Sequence, residues 1–421
     1  MVTPVRRRSA AVALAALLAA AGCSHHPVQP AIGTLYVTSQ PSGAEVLLDG
    51  EMLRRSTPLK LDGVSAGTHQ VTLRSAGCKV STSGVVISGG ESNRLAVRLR
   101  PIAPRPAGTQ PVGFDAGDMA FEPLTGRFYL ARRSYNLGVY QADGAQFTAL
   151  PEITVQSGNQ QHPGTRLLAV SQPAGKLYAM LASDSLVVVD LALQQVVKRL
   201  WLADSSRFVR LRFSDDGRLA YAADSLGRRI VRIDARADTL AGAIALPGPP
   251  SDLLVDPSGD YLYVTILNPR LVAKVHARTG LLLNQTATGV SPGGMFFDDQ
   301  RRRIGFCNRS AKQVVNIDLA DWSVAAGPVI YDVASYAVAG VFARDRTYQW
   351  LLTGSQPYWQ GDVLVCQPGY IHLIYCPGQR HVARYPVLEN PVAIAQSADG
   401  RYLYVLNSFA GAILAYFSDT D

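Results

Sequence analysis

Cysteine is scarce: there are five in 421 residues, and no two stand as Cys-x-x-Cys. No His/Cys cluster accompanies them, which argues against a structural zinc site or any other metal centre. His-Glu-x-x-His, Cys-x-x-Cys-His and the glycine-rich phosphate loop are also missing, so no cofactor is expected. The only long apolar run lies at the N-terminus, which excludes a polytopic helical membrane protein. Glycine (37) and proline (25) follow no strict period, which excludes collagen and points to many turns. Charged residues make up only 17% and hydrophobic residues 48%. A chain this long and apolar buries a sizeable core, so disorder throughout is excluded. Lysine is rare, 6 against 34 arginines, and the net charge of +8 is scattered. Short basic runs occur at Arg132–Arg133, Arg228–Arg229 and Arg301–Arg303, among others. Nucleic-acid surfaces concentrate their charge, so no nucleic-acid partner is expected.

What the N-terminus does hold is Arg6, Arg7 and Arg8, followed by an apolar run from Ala10 to Ala21. The run is too short to span a bilayer and fits the h-region of a signal peptide over residues 1–22. It ends in Ala20-Ala21-Gly22-Cys23, which resembles the lipobox of bacterial lipoproteins. That resemblance implies a lipid on Cys23, with Ala20 standing where leucine is usual. Ser24 in the next position implies the outer membrane of a diderm envelope. Cleavage there removes three arginines and leaves a formal charge of about +5. Residues 23–31 form a polar tether, and acyl chains on Cys23 would hold the protein at a membrane surface.

Residues 32–102 read as short strands separated by Pro-Ser-Gly and Asp-Gly turns. Pro41-Ser-Gly-Ala44, Asp49-Gly50, Thr57-Pro58, Ala66-Gly-Thr-His69 and the glycine of Gly77-Cys78 resemble the PEGA domain. This resemblance implies a small β-sandwich acting as a spacer or adhesive module, with no catalytic residues. Cys78 departs from it, standing where an aromatic is usual. His69 reads as a structural turn residue.

A proline-rich stretch, 103–111, reads as a linker of polyproline character. Beyond it the chain repeats. Phe213-Ser-Asp-Asp-Gly217, Val255-Asp-Pro-Ser-Gly259 and Gln396-Ser-Ala-Asp-Gly400 are each followed by a strand reaching Tyr221, Tyr263 or Tyr404. Degenerate copies place the turn at 126, 175, 301 and 346, the last two without glycine. A period near 42 residues, with four short strands per unit, predicts a seven-bladed β-propeller over 112–421. The whole chain is thus expected to be all-β. The seventh unit has three strands, so its fourth must come from near Gln110–Phe114. Gly259 to Val264, Gly400 to Val405 and Val188-Val-Asp190 resemble the YVTN family of bacterial propellers, a likeness specific for fold and uninformative about activity.

Propellers bind ligands over the channel, on loops leading into the inner strands. Asp118, His162 and Asp252 are the candidates there for a lactonase-like or lyase-like centre, though each reads as readily as a capping or turn residue. The sixth unit is the longest. It carries Tyr358, Trp359, Tyr370, His372, Tyr375, Arg380 and His381, and aromatics with Arg and His suit partner binding. The plainer alternative is that these aromatics fill the blade's own core. Cys366 and Cys376 flank a Pro-Gly turn and form a candidate disulfide, while Cys78 and Cys307 have no assigned pairing. The leading expectation is a non-enzymatic, lipid-anchored envelope protein whose propeller binds a protein or polysaccharide. The alternative is a propeller enzyme acting on a small molecule over the channel.

Overall fold

Strand follows strand from Ile32 to Phe417, and no helix forms among the described residues. The computed structural model describes residues 31–420 apart from 135, 156–163, 203–205, 289–291, 299, 309–312, 331–334, 345, 356–357, 361–362 and 366–367. Cys23, His162 and Cys366 lie outside the described residues, so the lipidation site, one channel candidate and the candidate disulfide are not placed.

The first seven strands form a β-sandwich. Ile32–Gln40 is central in a three-stranded sheet, antiparallel to Leu59–Ser65 and parallel to Ser92–Arg98. The second sheet runs in the order Glu51–Ser56, Glu45–Leu48, Gly67–Arg74, Ser81–Ile87. Leu35 and Val37 from one sheet meet Val46, Val71 and Leu73 from the other, all fully buried. Their two-residue spacing places them on the inner faces. At the Asp49-Gly50 turn both residues have positive φ, 50° and 86°, as a two-residue hairpin with right-handed strand twist requires.

Seven four-stranded antiparallel sheets follow. Their inner strands are Ala116–Glu122, Thr165–Ser171, Phe208–Phe213, Pro250–Val255, Pro292–Asp298, Ser335–Phe342 and Pro391–Gln396. Each touches the next, and the last touches the first, so the seven blades close a ring. The second strands are almost wholly buried because they are covered by blades on both sides. Tyr129, Tyr178 and Tyr404 recur on them and reach the next blade. Tyr178 donates to Asp238 at 2.6 Å and Tyr404 to the Gly144 carbonyl at 2.9 Å, while Gln194 donates to the Tyr129 hydroxyl at 2.9 Å.

Two sequence expectations need correction. The residues 103–111 are not a free linker: Arg105–Pro111 is the outer strand of the seventh blade, with Ile413 opposite Gln110. Proline is tolerated there because the outer strand is an edge. The closing strand therefore precedes the expected position by a few residues. In the fifth blade Arg301 lies in the turn, but the left-handed position is the next residue, Arg302. Arg302 (φ 48°) and Arg346 (φ 57°) hold the left-handed conformation that Gly217, Gly259 and Gly400 supply elsewhere.

The sandwich is seated on blades six and seven. Tyr348 of blade six donates to the carbonyls of Cys78 (2.6 Å) and Ser75 (2.9 Å). Tyr385 donates to the Ile102 carbonyl at 2.6 Å, and Lys79 pairs with Asp419 at 2.7 Å. Ile102 is buried in the same apolar cluster as Trp350, Leu373 and Tyr375. Gly77 lies so close to blade six that a Cβ on it would stand 2.3 Å from Val382 Cγ1.

Candidate functional site

Every inner strand carries a bulge near its start, visible as a register shift against the second strand in all seven blades. A bulge re-aims the side chain that follows it. In blades one, three and four that residue is Asp118, Arg210 and Asp252. The three lie around one channel, and two are acids predicted from sequence.

The acids act on backbone. Asp118 accepts the amide of Met119 at 2.9 Å and, from blade two, that of Leu168 at 2.9 Å. Asp252 repeats the arrangement with Leu253 at 2.8 Å and, from blade five, Met295 at 2.7 Å. Each carboxylate therefore ties its own inner strand to the next. Asp252 is 2% exposed and also accepts Arg210 Nε at 2.6 Å. Asp252 and then Asp118 hold the Arg210 guanidinium above its ordinary range. Burial raises Asp118, opposed by the Leu168 amide and by Arg210.

Arg212, two residues further along the same strand, is the side chain that sequence reading missed. Its one hydrogen bond among the described residues is a long one, Nη1 to the Leu211 carbonyl at 3.4 Å. Burial, and then the neighbouring Arg210, lower it to about 10. The signal was present in Phe208-Val-Arg-Leu-Arg-Phe213, where two arginines interrupt a run that is otherwise apolar.

Below Arg212 the channel opens into a cavity of about 830 Å³. It lies at the face of the Asp-Gly turns, opposite the loops where candidates were sought. Phe121, Phe213 and Phe342 line it with Gln172, Gln396, Arg344 and Arg346. Among its described lining residues Asp215 is the one acid. Among the described residues no three His, Cys, Asp or Glu side chains converge as a metal site needs.

The sixth-blade candidates separate. His372 is fully buried, with Nε2 at 2.9 Å from Thr353 Oγ1 and Nδ1 at 3.0 Å from His381 Nε2. Tyr375 is 5% exposed and donates to Glu45 of the sandwich at 3.1 Å; burial and then Glu45 push its hydroxyl up to about 12. Cys376 is buried as well. These three face the interior or the sandwich, which is the plainer alternative weighed above. Tyr370 is half-buried with the Arg384 guanidinium 4.9 Å from its ring centre. Arg380 is exposed and His381 half-buried. Tyr358 and Trp359 belong to an extra hairpin, Tyr358–Gln360 with Val363–Val365, found in no other blade among the described residues.

Residues 32–103 match the PEGA domain family. The N-terminal sandwich is a PEGA domain. The PEGA domain covers a minority of the chain, so it names the sandwich and not the propeller. No curated protein matches the chain. Among solved structures, hydrazine synthase of Kuenenia stuttgartiensis superposes with a TM-score of 0.59 at 17% identity, covering 73% of this chain and 96% of that one. At that identity the likeness shows the fold alone. The run Gly289-Val-Ser-Pro-Gly293 also spells Gly-x-Ser-x-Gly, a motif that needs a strand-to-helix turn. Here it leads into the strand Pro292–Asp298, and no helix follows.

Proposed function

We propose that this protein is a non-enzymatic scaffold of the cell envelope, lipid-anchored through Cys23, that binds a protein or polysaccharide partner. The observation that carries this reading is the use of the channel acids. Asp118 and Asp252 hold adjacent inner strands through backbone amides, and Asp252 also holds Arg210. Both acids are engaged in holding the ring together, a structural use that accounts for their burial without a reaction. The PEGA domain works in this reading as a seated base for the propeller, not as a loose spacer. The partner face is the sixth-blade hairpin bearing Tyr358 and Trp359, with Tyr370 at the same end of the blade; Arg380, opposite Tyr375, lies at the other end and is left out of it. Aromatic side chains make effective interface anchors.

In vivo cross-linking of the intact protein, followed by purification and mass spectrometry, tests the reading. The expected result is a near-stoichiometric envelope partner whose yield falls in Trp359→Ala. Absence of any partner, together with turnover of a lactone or ester by the purified protein, would overturn it. The anchor has its own test: Cys23→Ser should move the protein to the soluble fraction, and retention in membranes would remove the lipoprotein element.

A further inference from the structure

The turn-face cavity has features that the scaffold reading does not use. A guanidinium carries five N–H donors, and among the described residues Arg212 employs one of them in a long backbone contact. The channel carboxylates favour its charge from a distance, while their hydrogen bonds among the described residues go elsewhere: Asp252 accepts from Arg210 and two amides, and Asp118 from two amides. Arg212 is half-buried and lines the cavity. Arg344 stands exposed at the rim of the same cavity and makes no ion pair among the described residues. The Arg346 guanidinium lies 5.3 Å from the Phe342 ring centre, adding positive charge to the wall. Asp215, the one acid in the described lining, is pushed up by burial and by Asp256 and Asp216. Phe121, Phe213 and Phe342 supply apolar surface between these groups. A volume of about 830 Å³ suits a small molecule and admits no folded partner.

We propose that this cavity binds a small organic anion, its carboxylate or phosphate held by Arg212 and Arg344 and its apolar body lying among Phe121, Phe213 and Phe342. Arginine suits both acid groups because its planar fork matches two oxygens at once. The site stands independently of the scaffold reading, since a ligand inside the channel neither requires nor forbids a partner at the sixth blade.

Isothermal titration of the full lipidated chain in detergent decides it, with 3-phenylpropionate and inorganic phosphate as probes. Binding of the first assigns a carboxylate site and binding of the second a phosphate site; either supports the proposal. Arg212→Gln should weaken the bound probe by about tenfold or more, the loss of one charge-assisted pair. Arg344→Gln, at an exposed position where folding is not at risk, should weaken it by about threefold. Arg270→Gln, on the opposite face of blade four, should leave it unchanged. If neither probe binds at millimolar concentration, or if the affinity survives both Arg212→Gln and Arg344→Gln, the proposal fails.

Discussion

The channel and the seam between the PEGA domain and blade six are both buried and polar, yet they are built from different chemistry. The channel uses charge: two carboxylates and two guanidiniums, with each carboxylate bridging strands of adjacent blades. The seam uses mainly neutral hydroxyls: Tyr348 and Tyr385 donate to carbonyls of Ser75, Cys78 and Ile102. Charges buried at the centre of a ring are costly unless every one is matched, so removing one leaves another exposed to that cost. A hydroxyl removed from a seam leaves only an unsatisfied carbonyl, a smaller penalty. The channel should therefore be brittle and the seam graded.

The largest effect is expected at the channel. Asp252→Ala strands Arg210 and releases the Met295 amide. Chemical unfolding of the full chain should show a loss of about 3–5 kcal/mol for a broken buried pair. A loss below about 1 kcal/mol, the level of an exposed pair, would erase the contrast between the two regions.

Gly77→Ala comes next. Its Cβ meets Val382 Cγ1 and its φ of 82° is strained for alanine, so the PEGA domain should be unseated. Overpacking of this kind costs about 1–3 kcal/mol. Hydrogen exchange at Ser75, Cys78 and Ile102 should accelerate while exchange at Leu168 and Met295 stays slow. Pairing it with Val382→Ala should recover part of the loss, and no recovery would locate the strain elsewhere. Tyr348→Phe should cost about 1–2 kcal/mol at the same seam, with the propeller transition unmoved.

These contrasts also mark what was legible in the sequence. The repeat spacing and the Asp-Gly turns carried the blade count, because tight turns demand glycine at positive φ. Asp118 and Asp252 stood out as acids expected on the loops leading into the inner strands, and the structure places both within those strands, at the bulges. Their role did not show, because their partners are backbone amides of Leu168 and Met295, and an amide leaves no trace in residue identity. The same holds at the seam, where Tyr348 and Tyr385 meet carbonyls. The closing strand was sought a few residues late because Pro104, Pro106 and Pro111 read as a linker rather than as an edge. Arg212 was passed over because it fell among residues counted as core.

A smaller, stabilising change probes the repeat itself. Arg302→Gly removes a left-handed arginine from the fifth-blade turn. It should raise stability by up to about 1 kcal/mol, the left-handed penalty less the flexibility glycine adds to the unfolded chain. A destabilised variant would mean that the Arg302 side chain contributes more than its backbone costs.

The smallest effect lies within the PEGA domain, far from both regions. His69 Nδ1 is 2.6 Å from Asp49 Oδ2, and this contact, then the Ser65 carbonyl, raises the His69 pKa above 6.5. A raised histidine contributes its stability fully below 6.5 and loses it as pH rises through the folded value. NMR titration should show His69 titrating above 6.5 in the native protein and closer to 6.5 in Asp49→Asn. Identical titration in both would detach the histidine from the turn.

The strand Arg105–Pro111 joins Ala412–Phe417 across some 300 residues of intervening chain. Contacts so distant in sequence carry the loop-closure cost of the whole ring. The first propeller strand to leave the ribosome thus waits for the final one. A chain interrupted anywhere in blades two to seven keeps an unpaired strand beside the PEGA seam, and its exposed edge is a ready target for proteases and for misassociation. The ring closes only on a polypeptide that is whole from its first propeller strand to its last.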